Sequence, residues 1–296
     1  MTLLWTVLIG VAVGAHTSTW GMYKDAPHEG FTLPKYLRSL LLAAVIAPLV
    51  ARVFGIAPTD AASAVILFGC IYAMERASLE AWKTFFRAED QSKYAIPMQL
   101  AVFGRMVESR GARACFGALY LGAIVGGLAL LSSYHPAPGT SPLFLALTIG
   151  ALGGWSSAFG GAWKDAPIEG FQLLKFFRSP LLAAGFAYLL FRLGATPAQG
   201  TVGAIGYTVA TTETYKTFFF PSQPRGKFAG KPVRFPEWLE RRKRFVPLYV
   251  AVWGLVLLGF GLALAGRATS PRLPGGRSRS GAAAGAAARA ATPARA

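Results

Sequence analysis

Two stretches of this chain carry the same charged residues at the same spacing. Lys24-Asp25-Ala26-Pro27-x-Glu29-Gly30-Phe31 recurs as Lys164-Asp165-Ala166-Pro167-x-Glu169-Gly170-Phe171. Each is followed by a basic pair and a hydroxyl: Lys35, Arg38 and Ser39 in the first, Lys175, Arg178 and Ser179 in the second. Residues three apart share a helix face, and cations at a helix N-terminus oppose its dipole. With free N–H groups and a hydroxyl beside them, such a pair suits an anion. A phosphate at the level of the lipid headgroups is the expected ligand. The anion-binding candidates are Lys24, Lys35, Arg38, Ser39, Lys164, Lys175, Arg178 and Ser179. The competing reading makes the basic residues interfacial anchors, paired with Asp25, Glu29, Asp165 and Glu169. Carboxylates four residues apart beside Lys and Arg form salt-bridge clusters more readily than acid–base pairs, so no catalytic residue is assigned. Asp25-Ala26-Pro27 and Asp165-Ala166-Pro167 read as helix starts, with Asp as cap and Pro in the first turn.

A second pair of constellations is Glu80-x-x-Lys83-Thr-Phe-Phe and Glu213-x-x-Lys216-Thr-Phe-Phe. The spacing lets Glu80 touch Lys83 and Glu213 touch Lys216. Each pair is either a snorkelling lock at the membrane interface or part of an ion or proton path, since charges inside spans face protein or a wet cavity. Glu75 and Arg76 lie about a turn deeper, with no acidic–basic counterpart in the second set.

The elements that position these residues follow from a duplication. Residues 24–44 and 164–184 are identical at 15 of 21 positions. Together with the second match, this makes two copies of one unit, and internal repeats precede any other argument. Each copy holds four apolar runs, near 3–22, 39–57, 61–79 and 114–132, then near 142–162, 180–195, 200–217 and 246–266. A span needs ~20 mostly apolar residues, and the chain is 53% hydrophobic and 15% charged. The expectation is an all-α integral membrane protein with eight transmembrane helices, arranged as two same-orientation four-helix repeats, 1–137 and 138–266. An Ala/Gly/Arg-rich tail, 267–296, reads as disordered. The N-terminal apolar run lacks a basic leader, and its counterpart sits mid-chain, so it is taken as a retained span. Gly10 and Gly14, and Gly122 and Gly126, have the small-xxx-small spacing of close helix contacts.

Loops 23–38, 83–113, 163–178 and 216–244 hold 21 of the 30 Lys and Arg, whereas 57–60, 133–141 and 196–199 hold none. The positive-inside rule places the basic loops in the cytoplasm and both termini outside a bacterial-type inner (plasma) membrane. The net charge of +17 is thereby explained by topology and anionic lipid, and no nucleic-acid partner is expected. Segments 97–110 and 234–245 mix aromatic and basic residues and are expected at the interface.

Other chemistries lack their residues. Cys70 and Cys115 lie in apolar runs, and His16, His28 and His135 are far apart in sequence, so neither metal nor cofactor is assigned. No phosphate-cradling Gly-rich loop and no nucleophile motif occurs. The expected function is a transporter or lipid-handling protein with anion-binding cytoplasmic loops. The alternative is a non-catalytic membrane subunit or scaffold. Anionic membrane lipids are the expected partners, with other membrane proteins or a second copy of the chain as further ones.

Overall fold

Lipid offers no hydrogen bonds, so a spanning backbone must satisfy its own polar groups, and long apolar runs become helices. The computed structural model describes residues 1–221 and 226–269, except the side chains of Glu169 and Thr269. It is an all-α polytopic membrane protein. Seven helical segments are long and apolar enough to cross a membrane: Thr2–Glu29, Leu33–Val53, Ala61–Phe86, Arg110–Ser133, Pro142–Ile168, Leu173–Arg192 and Trp238–Ala268.

In chain order the helices are α1 (Thr2–Glu29), α2 (Leu33–Val53), α3 (Ala61–Ala81) and α4 (Arg110–Ser133). Then come α5 (Pro142–Leu145), α6 (Leu152–Glu169), α7 (Leu173–Arg192), α8 (Pro197–Phe218), α9 (Trp238–Arg241) and α10 (Val246–Thr269). A π-turn, Trp82–Phe86, prolongs α3, and another, Ala146–Gly150, joins α5 to α6. α10 continues through Arg267 to Thr269. Residues 270–296 lie outside the described set.

α3 and α8 form the centre of the bundle. Their crossing is glycine on glycine. A Cβ on Gly69 would lie 2.7 Å from the Gly203 carbonyl oxygen, and one on Gly206 would overlap the Gly69 carbonyl. The Tyr207 hydroxyl donates to the Val65 carbonyl at 2.6 Å, and Gln199 Nε2 donates to the Phe54 carbonyl at 2.8 Å. α8 is 22 residues long but is not among the seven apolar segments. Its polarity comes from threonine, and Thr208 and Thr214 return their hydroxyls to the carbonyls of Ala204 and Ala210. Packed between α3 and α7, it has little need of a lipid-facing side.

Around this centre α1 pairs with α2 and α6 with α7, through matching close approaches. A Cβ on Gly14 would lie 2.8 Å from the Ser39 carbonyl oxygen, and one on Gly154 would lie 2.5 Å from that of Ser179. α10 covers α1 and α3. α4 touches the π-turn after α3 and one side of α8, and most of its surface is exposed. The expected close contact at Gly122 and Gly126 does not form among the described residues, because a Cβ added at either would meet nothing within 4 Å.

The Asp-Ala-Pro stretches end helices rather than start them. α1 and α6 run straight through Asp25 and Asp165 to Glu29 and Glu169, and Gly30 and Gly170 cap them at φ 73° and 79°. Proline inside a helix frees the carbonyl four residues earlier. For Pro27 that carbonyl belongs to Tyr23, and Arg242 Nη1 donates to it at 2.7 Å. The segment 97–110 holds a two-residue hairpin, Ala101–Val102 against Arg105–Met106, turning at Phe103-Gly104 with φ 49° and 77°.

Candidate functional site

The charged ends of α1, α2, α3, α6 and α8 splay around a cavity of about 370 Å³. α1 contributes Lys24, Asp25 and Glu29; α2 contributes Lys35, Arg38 and Ser39. α3 and its π-turn bring Arg76, Glu80 and Lys83, while α6 brings Lys164 and Asp165 and α8 brings Glu213. With Arg87, Glu89 and Lys227 from the loops, eight basic side chains face six acidic ones, so the cavity carries an excess of positive charge. An adjoining cleft of about 150 Å³ holds Lys175, Arg178, Ser179 and Lys216, and both are lined by Asp165 and Glu213.

The pairing is largely between residues remote in sequence. Lys24 meets Glu213 at 3.4 Å, from α1 to α8. Lys227 reaches Asp25 at 2.8 Å and Glu29 at 3.6 Å. Glu29 also lies 3.4 Å from Lys35 and accepts from the Tyr94 hydroxyl at 3.1 Å. Within helices, Glu80 holds Lys83 at 3.0 Å and Arg76 at 2.6 Å, and Glu213 holds Lys216 at 3.4 Å. Asp165 holds Lys175 at 3.2 Å. Among the described residues Arg38 and Lys164 have no hydrogen bond or ion pair within reach. The side chain of Glu169 lies outside the described residues.

One ingredient of the expected anion site is missing. α2 starts at Leu33 with Thr32 as cap, so the N–H groups of Arg38 and Ser39 fall after the first turn and bond inside the helix. Ser39 and Ser179 are buried at the helix crossings. What the anion candidates present to the cavities is therefore long cationic side chains, not the N–H groups of a helix end.

Loop residues outside the two main charged constellations complete the site; Lys93-Tyr94-Ala95 and Lys227-Phe228-Ala229 are a third, looser match between the copies. The loops 87–100 and 226–235 close over its mouth. The Ala95 N–H donates to the Lys227 carbonyl at 2.7 Å, and Phe228 stacks on His28 with ring centres 4.5 Å apart. Burial, and then the charge of Glu29 beside it, push the Tyr94 hydroxyl up. Glu89 pairs with Arg87 at 2.7 Å and with Lys93. Burial alone would raise the Glu89 carboxyl, but the Lys93 hydrogen bond and the charges of Arg87 and Lys93 hold it below its ordinary 4.5.

A carboxylate lowered by folding stabilises the fold above its unfolded value, and that contribution is lost as pH falls through the folded value. Amide exchange across 87–100, corrected for its intrinsic rate, should therefore quicken as pH drops below 4.5. Glu89→Gln should exchange fast already at neutral pH, with no such step. The effect is small, because the pair is partly exposed.

Deeper in the bundle, past the cavity, polar groups continue. The Trp20 indole donates to the Tyr72 hydroxyl at 2.9 Å, and His16 Nδ1 lies 3.0 Å from the same oxygen. His16 stacks on Tyr249 at 4.1 Å. Arg76 lies over the Trp20 ring at 5.0 Å and 3.7 Å from Glu75. The detectable signal for this cluster was a histidine and a tryptophan four residues apart in an apolar run. No family model, curated protein or solved structure matches the chain.

Proposed function

We propose that this protein is a membrane carrier or lipid-handling protein that binds an anionic group, such as a phosphate, in the cavity between its two halves. The observation that carries the reading is the positive excess of that cavity, in which, among the described residues, Arg38 and Lys164 have no carboxylate within 4 Å and Lys164 reaches Glu80 only through its field. An anion there would complete what the protein's own acids leave open. Carriers built from repeats place their binding site at the repeat interface.

The topology we propose counts α8 as an eighth span. The chain is then two four-helix repeats, 1–137 and 138–266, in the same orientation, because an even number of spans returns each repeat to its starting side. The paired glycine–serine crossings, Gly14 with Ser39 and Gly154 with Ser179, support the duplication. The basic loops face the cytoplasm of a bacterial-type inner membrane, and both ends lie outside. Lys35, Arg38, Lys175 and Arg178 are the anion-binding set, with Lys24 and Lys164 behind them.

Native mass spectrometry of gently extracted protein tests this, beside a variant in which Lys35, Arg38, Lys175 and Arg178 are all Gln. Wild type should carry an anionic lipid or metabolite that the folded variant lacks. Stoichiometric protein partners and no such ligand would move the reading to a membrane scaffold. The bare, glycine-bearing surface of α4 is the observation that favours this alternative.

A further inference from the structure

Glu75 is the most secluded charged residue described. It is 0% exposed, and neither carboxylate oxygen receives a hydrogen bond from the described residues. A buried ionised carboxylate needs both a countercharge and hydrogen bonds. Among the described residues its only cation within 4 Å is Arg76, at 3.7 Å, and Arg76 makes its shorter contact, 2.6 Å, with Glu80. One guanidinium thus serves two carboxylates. Its other face lies on Trp20, and the side chain lines the cavity in which we place the anion.

The groups facing Glu75 come from its own helix and four others. Ser39 of α2 lies beside it without completing a hydrogen bond, and Lys83 and Glu80 lie toward the cavity. Tyr72 is on the inner side, with His16 of α1 and Tyr249 of α10 beyond it. Glu213 of α8 adds its field at Arg76. In the second half, positions aligned through the Glu80–Glu213 match are Thr208 and Val209. The repeat fold therefore packs without this charged pair, which argues for a role other than packing. Intramembrane ionisable residues of this kind mark proton and ion paths.

We propose that Glu75 is a proton-binding site that exchanges with the cavity by way of Arg76, and that anion binding there is coupled to its protonation. When an anion enters, Arg76 turns to it and leaves Glu75 without a countercharge. A hydronium in the cavity then gives its proton to a Glu75 carboxylate oxygen; an O–H bond forms and water remains. When the anion leaves, Arg76 returns and the proton passes back to cavity water. This coupling rests on the carrier reading; the proton site does not.

Infrared difference spectroscopy of the full chain in lipid nanodiscs tests the site. Wild type should show a protonated-carboxyl C=O band that grows as pH is lowered. The band should vanish in Glu75→Gln and shift in Glu75→Asp. No titrating band in wild type, or a band unchanged in both folded variants, overturns the proposal. Inorganic phosphate binding, measured against pH, then tests the coupling. One linked proton makes the wild-type Kd rise relative to that of Glu75→Gln by up to about tenfold per pH unit as pH increases. The comparison cancels phosphate's own ionisation. A Kd ratio flat with pH sinks the coupling while leaving the anion site intact. Absence of phosphate binding in wild type sinks the anion site, and the infrared band still decides Glu75.

Discussion

Gly206→Leu should leave the protein without a stable folded core. In wild type the α3 and α8 backbones touch at Gly69, Gly203 and Gly206. Any side chain at 206 must first displace the Gly69 carbonyl, which is fixed in its own helix. Overpacking ordinarily costs about 1–3 kcal/mol, when neighbouring side chains can turn aside. Here the obstacle is backbone, so a loss of about 3 kcal/mol or more is expected. The two halves meet through this crossing, so the loss is felt across the whole bundle. Thermal unfolding of purified protein, followed by tryptophan fluorescence, measures it. Gly185→Leu is the matched control, because nothing lies within 4 Å of that position. If both variants melt with wild type, the close crossing of α3 and α8 is wrong.

The second large effect concerns the pair that joins α1 to α8. Lys24 and Glu213 are each about 85% shielded, at 15% and 14% side-chain exposure, and lie 3.4 Å apart. Glu213→Gln leaves the Lys24 ammonium without its nearest anion, and breaking a buried pair costs about 3–5 kcal/mol. The cavity beside the pair is polar, so the low end, about 3 kcal/mol, is expected. Removing both charges, with Lys24→Gln added, should recover much of that loss. A double-mutant cycle on unfolding free energy reads the coupling. Additive single effects would mean that Lys24 and Glu213 do not hold the halves together.

Much of this fold was legible beforehand, for a physical reason. A spanning helix advertises itself by an uninterrupted apolar run, and the loops 57–60, 133–141 and 196–199, which hold no Lys or Arg, marked where the runs turn. The Asp-Ala-Pro stretches misled because capping signals are local, whereas the Tyr23 carbonyl that Pro27 frees is taken up by Arg242, 219 positions beyond Tyr23. The same holds for the site. The Glu80–Lys83 spacing could be read along one helix, but Lys24–Glu213 and Asp25–Lys227 join residues 189 and 202 positions apart. No pattern along the chain announces them. His16, Trp20 and Tyr72 were hidden differently: inside apolar runs, single polar residues read as tolerated exceptions, and only packing shows that they face one another.

The threonine-rich character of α8 bears on how the chain enters the membrane during synthesis. A translocating channel admits segments to lipid largely by their own apolarity, and α8 falls short of the other seven. It depends on neighbours already in place. α7 precedes it by a four-residue connection, and α3 will have been made long before. In the eight-span topology we propose, α8 would insert as the second arm of a helical hairpin, docking its glycine face on α3 as it leaves the channel. Delaying α3, or moving the α7–α8 hairpin ahead of it in a permuted gene, would strand α8 in the aqueous channel, a fate the more apolar α2 would escape.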